Sequence, residues 1–350
     1  MEKQVERQEE KKEDRREQIA ELLRLCSGHP VYIQAHNFPD PDALASGYGL
    51  WHFLEQNGIP SLFCYDGLLD KRACKKMVES FHIQALPISE LGELESDAVL
   101  ICVDSQKGAG NVRTLSVPIA ACIDHHPTFI PAEYRYSDIR RCGSCSTMIA
   151  EYFSQMGLEP NSDVASALVY GIKIDTRQFS RGVTDLDIEM FRFLKQFCDD
   201  ARLSRLSSNT ISYTDLKAYA SALENIRIYG MAGFAEIDFP CSDDLIAMIA
   251  DFFLSLDEID LIVVYSSRED GIKFSVRSEL AEVHAGEWVK EALRHLGSGG
   301  GHSYMAGGMI PVERIPNLEP YPDETIRDCF LAALINMHME KQIHPTKESE

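Results

Sequence analysis

The sequence predicts an α/β fold, in which a parallel-sheet domain is joined by a helical linker to a smaller α/β domain. Short apolar runs rich in β-branched residues alternate with helical stretches, as in Val31–Ala35 followed by Ala43–Gln56. The runs are almost continuously apolar, which is typical of strands in a parallel sheet covered on both faces. The 350 residues also suffice for two hydrophobic cores.

The same patterning predicts each element in turn. The strands predicted in the first domain are Val31–Ala35, Ser61–Tyr65, Ala98–Val103 and Ile119–Ile123. Three further stretches are predicted to be helical or mixed, namely Cys145–Gln155, Val164–Ile174 and the more polar Asp187–Arg227. The second domain is predicted to contain the strands Phe234–Asp238, Leu261–Tyr265 and Ile272–Arg277, a helix at Gly286–His295 and a closing helix at Asp323–Gln342. The resulting boundaries are an N-terminal arm at 1–18, a first domain at 19–195, a linker at 196–228 and a second domain at 229–342.

Charge and composition exclude several classes of partner. The net charge of −21 disfavours duplex nucleic acid, because neutralising its phosphates needs clustered Lys and Arg, but it leaves short phosphorylated ligands open. No apolar run reaches the roughly 18 residues that span a bilayer, so no membrane partner is expected. A charge run stands where a signal peptide would begin, and the ten scattered cysteines suit reduced core thiols. A cytoplasmic protein is therefore expected, and a homodimer is left open.

The two ends of the chain have their own patterns. Residues 1–18 alternate acidic and basic side chains without Gly or Pro, which favours a solvated helix. Apolar residues at helical spacing begin only at Ile19 and Leu22. The sequence leaves open whether the arm frays or docks onto the domain, and residues after 342 are expected to be disordered.

Acidic and imidazole side chains gather at the ends of four predicted segments. The eight residues are His36, Asp40, Asp42, Asp104, Asp124, His125, His126 and Asp175. Because the carboxyl ends of parallel strands line one crevice, we expect these side chains to meet there. Carboxylates that lie so close repel one another strongly unless cations compensate them.

The donor types indicate which cations these are. Carboxylate and imidazole donors without thiolate suit manganese, and to a lesser degree magnesium, iron or zinc. Two ions sharing one carboxylate form a hydrolytic site for phosphoryl transfer. Simpler roles exist for single residues, since Asp42 could be only a helix N-cap and the histidines could be polar turn residues. Cys142 and Cys145 form an isolated C-x-x-C pair, which we take as incidental.

A glycine run beside a histidine forms a second candidate site. Gly297-Ser-Gly299-Gly300-Gly301-His302 follows a predicted helix, and consecutive glycines let backbone N–H groups approach an anion closely. His302 could donate a hydrogen bond to a phosphate oxygen. Arg277, at the end of a predicted strand, is a candidate bidentate partner.

Together these motifs resemble the DHH phosphoesterase family, named for the triplet present here as Asp124-His125-His126. The resemblance covers about residues 25 to 315. The other motifs that carry it are His36-x-x-Pro-Asp40-x-Asp42-Ala43, Asp104 in Val-Asp-Ser, Asp175 in Gly171-Ile-Lys-Ile-Asp175-Thr176 and the glycine run with His302. It implies a DHH catalytic domain followed by a DHH-associated substrate-binding domain.

The resemblance also implies roles for single residues. One divalent ion, expected to be Mn²⁺, would be held by His36, Asp40 and Asp104, and a second by Asp42, Asp104, His125 and Asp175. His126 would face the scissile phosphate, and Asp124 would orient the histidines. The substrate would be held in the second domain by Arg277, His302, Gly299, Gly300 and Gly301. Ser144 lies where the family often begins a helix.

Two features depart from the family pattern. Arg177 stands where the family commonly has glycine after Asp-Thr, and the approach to the glycine run from Glu282 to Gly297 is longer than usual. The charged arm has no assigned counterpart.

The compact two-domain form resembles nanoRNases, which degrade very short RNA and dephosphorylate adenosine 3′,5′-bisphosphate. A phosphodiesterase acting on cyclic or linear dinucleotides is the alternative, and a non-catalytic nucleotide sensor is the alternative from another class. The longer-substrate exonucleases and the inorganic pyrophosphatases of the family fit less well. The exonucleases act on long polyanions, which an acidic chain repels. The pyrophosphatases lack the glycine–histidine run.

Overall fold

The computed structural model describes residues 2–69, 71–128, 130–208 and 211–343, with side chains described from 13 to 337 within these ranges. The chain forms two compact units, Met1–Thr210 and Ile211–Glu350. The division falls inside the linker predicted at 196–228. The tail after residue 342 was expected to be disordered, and from residue 344 onward it lies outside the described residues.

The first unit is built on a parallel sheet. Its helices are α1 (Glu2–Cys26), α2 (Pro41–Gln56), α3 (Arg72–Phe81), α4 (Cys145–Met156), α5 (Ser162–Asp175), α6 (Asp185–Leu194) and α7 (Asp200–Ser207). Its strands are β1 (Val31–Gln34), β2 (Ser61–Tyr65), β3 (Leu86–Pro87), β4 (Val99–Val103), β5 (Ile119–Asp124) and β6 (Tyr136–Ile139). The strand order is β3-β2-β1-β4-β5-β6, and every neighbouring pair is parallel.

This strand order locates the ligand-binding edge. The sheet grows outward in one direction through β2 and β3, and in the other through β4, β5 and β6. The order therefore reverses between β1 and β4, and ligands of doubly wound sheets bind at the carboxyl ends of the strands at such a point. The prediction of a parallel-sheet domain is confirmed.

The second half of α1 docks onto the first unit. Ile19 and Leu22 are fully buried in its core. The Arg15 guanidinium donates to the Glu151 carboxylate over 2.9 Å, pairs with the Asp138 carboxylate and lies 5.2 Å from the centre of the Tyr152 ring. The arm was expected either to fray or to dock. From residue 13 onward, where side chains are described, it docks.

The segment predicted as a linker is shared between the two cores. Leu203 and Leu206, on α7, belong to the core of the first unit. Ala218 and Ala222 lie on the next helix and belong to a core cluster of the second unit. Polar exposed faces gave these helices the appearance of a connector, although each has an apolar face that packs onto one unit.

The second unit is a mixed sheet with helices on both faces. Its helices are α8 (Leu216–Asn225), α9 (Asp243–Phe253), α10 (Ala285–Ala292) and α11 (Pro322–Ile343). Its strands are β7 (Arg227–Tyr229), β8 (Ala232–Ile237), β9 (Leu261–Arg268), β10 (Gly271–Ser278), β11 (Ser298–Gly301) and β12 (Met305–Pro311). The order is β11-β12-β10-β9-β8-β7, and β8 with β9 is the parallel pair. Single 3₁₀ segments lie at Ile88–Glu90 in the first unit and Val312–Leu318 in the second.

Several elements were not predicted from the sequence. These are α3, α9, β3, β6, β7, β11 and β12. Strand β6 contains Ser137 and Asp138, so it lacks the apolar run that identified the other parallel strands. Helix α9 did carry a usable signal, because Ser242 precedes an amphipathic stretch and its side chain accepts the Leu245 N–H as an N-cap. No helix among the described residues is long and apolar enough to cross a bilayer.

A pair of acidic side chains makes the second unit sensitive to pH. Glu236 on β8 lies against Asp323 at the start of α11, and the Tyr265 hydroxyl donates to Asp323 over 3.0 Å. Burial, the charge of Asp323 and a hydrogen bond to it raise the pKa of Glu236 from 4.5 to about 7. Between pH 4.5 and pH 7, Glu236 is therefore protonated in the folded state and ionised in the unfolded state. The stability that its protonation contributes is lost as the pH rises through this range.

We expect Glu236→Gln to raise the free energy of unfolding at pH 8 and to flatten its fall between pH 5 and pH 8. The amide keeps a hydrogen bond to Asp323 without the second charge. Urea unfolding across this pH range measures the effect, with Glu258→Gln, at an exposed position, as the matched control. A parallel pH profile for the wild type and Glu236→Gln would show that the pair does not control stability.

Candidate metal centre and substrate groove

The predicted cluster assembles at the reversal point of the parallel sheet. His36, Asp40 and Asp42 follow β1, and Asp104 follows the neighbouring strand β4. Asp124 ends β5, the next strand outward. Asp175, in contrast, does not follow a strand: it is the last residue of helix α5, which packs against α2. The sequence correctly placed Asp175 at the end of a segment, but it did not decide whether that segment is a helix or a strand.

The first group consists of His36, Asp40 and Asp104. The Nε2 atom of His36 lies 3.9 Å from Asp40 Oδ1 and 3.8 Å from Asp104 Oδ2. Its other ring nitrogen, Nδ1, donates to the carbonyl of Asn37 over 2.8 Å. That bond fixes the tautomer of the neutral ring and turns the lone pair of Nε2 toward the carboxylates. One donor atom from each residue lies within 4.8 Å of the others.

The second group is centred on His125. Its Nε2 atom lies 3.2 Å from Asp175 Oδ2, 3.5 Å from Asp104 Oδ1 and 3.8 Å from Asp42 Oδ2. Its Nδ1 donates to the carbonyl of Cys142 over 3.1 Å, so the neutral ring presents an Nε2 lone pair here too. Among the described residues, His125 Nε2 and Asp104 Oδ1 are buried without a hydrogen-bond partner. A buried donor set without partners fits a cation.

Asp104 connects the two groups. Its Oδ2 faces His36 and its Oδ1 faces His125. Burial raises the pKa of Asp104 well above its usual range, and the charges of Asp42, Asp40, Asp124 and Asp175 raise it further. The residue also has φ of 55°, in the left-handed region that non-glycine residues rarely occupy. Strain and repulsion of this kind persist where a site requires them.

Asp40 and Asp42 have separate local roles. Asp40 is the N-cap of α2, since its Oδ1 accepts the N–H groups of Asp42 and Ala43, each over 3.0 Å. The alternative that Asp42 is merely a helix cap is therefore wrong. Asp42 instead accepts the backbone N–H groups of Cys145 over 2.7 Å and Ser146 over 2.9 Å.

These two N–H groups belong to the first turn of α4, so the partial positive charge of a helix N-terminus stabilises the Asp42 carboxylate. Ser144 caps that helix by accepting the Thr147 N–H over 3.1 Å. The expectation that Ser144 begins a helix is met by this contact.

The triplet at the end of β5 is ordered by a residue that the sequence analysis missed. Asp124 accepts hydrogen bonds from His126 Nδ1 over 2.9 Å and from the amide nitrogen of Gln106 over 2.8 Å. Gln106 is buried, donates also to the His126 carbonyl and accepts from the Thr128 hydroxyl over 2.8 Å. The hydrogen bond with Asp124 raises the pKa of His126, whose side chain is half exposed. Position 106, two residues after Asp104, carried no signal of this role.

The loop after Asp175 contains one departure from the family pattern, Arg177. Arg177, Gln178 and Phe179 have φ of 46°, 55° and 65°, which is a left-handed turn of three non-glycine residues. The turn is fixed by Gln178 N–H donating to the Lys173 carbonyl over 2.7 Å and by Phe179 N–H donating to the Thr176 hydroxyl over 3.2 Å. The position of Arg177 thus requires a backbone conformation that favours glycine.

The glycine run of the second unit is a strand, which corrects the prediction of a loop. Gly299, Gly300 and Gly301 belong to β11, paired antiparallel with β12. A Cβ at Gly299 would lie 2.9 Å from the Val289 side chain on α10. Gly299 therefore allows this edge strand to lie close against the helix, and the run is not a phosphate-binding loop. His302 follows the strand, is exposed and stacks on Tyr304 with ring centroids 6.0 Å apart.

Arg277 lies in a groove of about 730 Å³ that is also lined by Lys273, β11 and His302. Its guanidinium is buried and already engaged, because Nε donates to Asp251 over 2.6 Å and Nη1 to the Ser275 hydroxyl over 2.9 Å. It is therefore held as a fixed part of the groove wall, unlike the free fork expected from the sequence. Lys273 is a cation of the groove that the sequence analysis did not single out.

Two family models match the chain. Residues 30–172 match the DHH family, N-terminal domain, and residues 215–327 match the DHHA1 domain.

The chain belongs to the DHH family. As a member of this family it is a metal-dependent phosphoester hydrolase, and its two matches correspond to the two structural units. The predicted family resemblance is confirmed.

Relatives of the DHH chain include enzymes with small phosphate substrates. The bifunctional oligoribonuclease and PAP phosphatase NrnA of Thermus thermophilus is 25% identical, over 83% of this chain and 87% of NrnA. Protein MJ1633 of Methanocaldococcus jannaschii is 29% identical over 81% of this chain, which spans only 58% of MJ1633. A probable manganese-dependent inorganic pyrophosphatase of Streptococcus suis is 29% identical over 40% of this chain and 46% of its own length.

Solved structures share the fold of the DHH chain. An exopolyphosphatase-related protein from Bacteroides fragilis superposes with a TM-score of 0.71 at 19% identity, covering 93% of this chain and 97% of its own. RecJ of Thermus thermophilus, in complex with Mn²⁺, superposes with a TM-score of 0.54 at 16% identity, covering 91% of this chain and 54% of RecJ.

Changing Asp104 to Asn separates the two effects of its charge. We expect the metal-free variant to be at least as stable as the metal-free wild type, because one of several repelling buried charges is removed. Mn²⁺ should raise the melting temperature of the wild type, since binding to the folded state stabilises it, and should raise that of the variant much less. Thermal unfolding with and without Mn²⁺ measures both effects. An equal Mn²⁺ shift in both proteins would mean that Asp104 is not a ligand.

Proposed function

We propose that the protein is a two-metal phosphoesterase of the nanoRNase type, which hydrolyses short oligoribonucleotides and small nucleotide phosphates such as adenosine 3′,5′-bisphosphate. The observation that carries the proposal is the position of Asp104, whose two oxygens face two separate groups of ligand atoms. The near full-length similarity to NrnA supports the substrate class. The cytoplasm is the compartment that we propose for it.

The ligand sets of the proposed site follow from the two groups. His36, Asp40 and Asp104 would hold one ion, and Asp42, Asp104, His125 and Asp175 the other. Oxygen and imidazole donors favour Mn²⁺, which also appears in the names of a relative and a structural neighbour. When bound, such ions activate water and neutralise the charge that develops on phosphate.

The remaining residues position the reacting groups. His126 keeps Nδ1 on Asp124, and this hydrogen bond raises the pKa of His126. In the doubly protonated ring, Nε2 also carries a proton and would donate it to a phosphate oxygen. Gln106 holds Asp124 in place and thereby fixes the orientation of the His126 ring. The carbonyls of Asn37 and Cys142 do the same for the two metal-binding histidines. Outer contacts of this kind typically change activity or metal affinity by about 10- to 100-fold when removed.

The second unit supplies the proposed substrate contacts. His302 and the backbone of Gly299, Gly300 and Gly301 line one groove with Lys273. The side chains of His302 and Lys273, and the N–H groups of β11 that are not bonded to β12, would donate hydrogen bonds to phosphate. Arg277 would hold the groove wall in place through its contacts with Asp251 and Ser275. The alternative of a cyclic or linear dinucleotide phosphodiesterase uses the same groups. The non-catalytic sensor is not proposed, because the candidate ligand atoms of both groups are all present.

We expect Mn²⁺-dependent cleavage of an RNA dinucleotide to be at least about ten times faster than that of a 20-mer, and to stop with a chelator. The net charge of −21 repels every nucleotide that extends beyond the metal site and its few cations. The measurement is the initial rate per cleavable end at equal end concentration. Equal rates for both RNAs, or full activity without metal, would contradict the proposal.

Replacing His302 by Ala should raise KM for the dinucleotide by about tenfold, as expected for loss of one charge-assisted hydrogen bond. The Mn²⁺-induced rise in melting temperature should stay unchanged, because His302 lies in the second unit. His295→Ala removes an exposed histidine of the same unit and serves as the matched control. A similar KM change in both variants would exclude a specific contact from His302.

A further inference from the structure

Phe38 is unusual in both conformation and exposure. It lies between His36 and Asp40, has φ of 53° and leaves 52% of its surface exposed. A bulky residue in the left-handed region costs free energy, and an aromatic ring in water recovers little of that cost through burial. About half of the phenyl surface therefore gains no burial within the first unit.

The loop around Phe38 fixes where the ring lies. The Phe38 N–H donates to the Asp66 carbonyl over 2.9 Å, and the Asn37 N–H donates to the Asn111 carbonyl over 2.8 Å. Gly67, with φ of 86°, lies under the ring: a Cβ there would be 2.8 Å from two atoms of the phenyl group. One part of the ring thus rests on backbone just after β2, the neighbour of β1, and the rest faces solvent.

Cations lie along the same edge of the sheet. The Arg113 guanidinium is 3.8 Å from the Asp66 carboxylate, and the Arg113 side chain is 78% exposed. The backbone N–H of Arg113 donates to Asn37 Oδ1 over 2.9 Å. Lys71, at the start of α3, interacts electrostatically with both His36 and Asp40. An exposed aromatic ring in a loop that interacts with both Arg113 and Lys71, beside a carboxylate cluster, suits a ligand that combines a flat ring with phosphate. Inorganic polyphosphate has no such ring.

We propose that Phe38 is a stacking platform for a base of the substrate, and that it makes the site select nucleotides over phosphates without a base. The proposal rests on the phosphoesterase function proposed above and specifies what the substrate must carry besides phosphate. Base–aromatic stacking tolerates any base, because each base has a π-face. The site would therefore distinguish nucleotides from base-free phosphates without choosing strongly among nucleotides.

The competing role for Phe38 is purely structural, with the ring covering Gly67 and holding the loop that carries His36 and Asp40. Phe38→Leu separates the two roles, because leucine retains apolar contact with Gly67 and the same backbone cost but has no flat face. Phe38→Tyr is the conservative variant that keeps the face. Comparing an RNA dinucleotide with an otherwise identical abasic dinucleotide shows whether a change acts through the base.

With Mn²⁺ present, we expect Phe38→Leu and Phe38→Ala to lower kcat/KM for the dinucleotide by about tenfold or more, mainly through KM. Phe38→Tyr should retain the wild-type value. On the abasic dinucleotide all four proteins should be equal, and the Mn²⁺-induced rise in melting temperature should be the same in each.

Two results would overturn the proposal. Wild-type kinetics for Phe38→Leu on the dinucleotide would mean that the ring acts only as apolar packing. An equal loss on the dinucleotide and the abasic compound would mean that Phe38 positions the metal-binding loop. A binding assay separates this question from the proposed function. The fluorescence of a 2-aminopurine dinucleotide with a non-hydrolysable phosphonate linkage should be quenched by the wild type and not by Phe38→Leu, even if the wild type cleaves no dinucleotide.

Discussion

Repulsion among buried carboxylates around Asp104 is the constraint on which the first unit depends. Asp104 is almost fully buried, adopts a left-handed backbone conformation and lies within the field of four other aspartates. Burial and Asp42 also raise the pKa of Asp175 to about 7. A fold that gathered these charges for packing alone would be destabilised by them, so the arrangement is understandable only with cations as part of the folded protein.

The surrounding fold keeps these charges at fixed positions. The first turn of α4 donates two N–H groups to Asp42, and backbone carbonyls fix the rings of His36 and His125. Gly171 on α5 is part of the same arrangement: a Cβ there would lie 2.3 Å from the Ser146 hydroxyl and 3.1 Å from Asp42 Oδ1. The absence of a side chain at this position lets α5 approach α2 and bring Asp175 to the cluster.

The buried polar groups of the two units differ in whether they have partners within the protein. In the first unit, His125 Nε2 and Asp104 Oδ1 have no hydrogen-bond partner at the end of the parallel sheet, so they can bind a cation. In the second unit, the Arg277 charge is paired with Asp251, and Gly299 lets the edge strand β11 pack against α10. The buried ligand atoms of the first unit and the groove of the second unit therefore consist of separate sets of residues.

The sequence by itself determined the α/β class, the strands β1, β2, β4 and β5 and the identity of the clustered residues. Strict apolar runs and polar residues directly after them are local features, which a single sequence records. Only the tertiary structure decided that Asp175 comes from a helix end, that Gln106 orients Asp124, that the glycine run is an edge strand and that Arg277 is engaged by Asp251. Those outcomes depend on contacts between residues far apart in the chain, and the spacing of residue types along it carries no record of them.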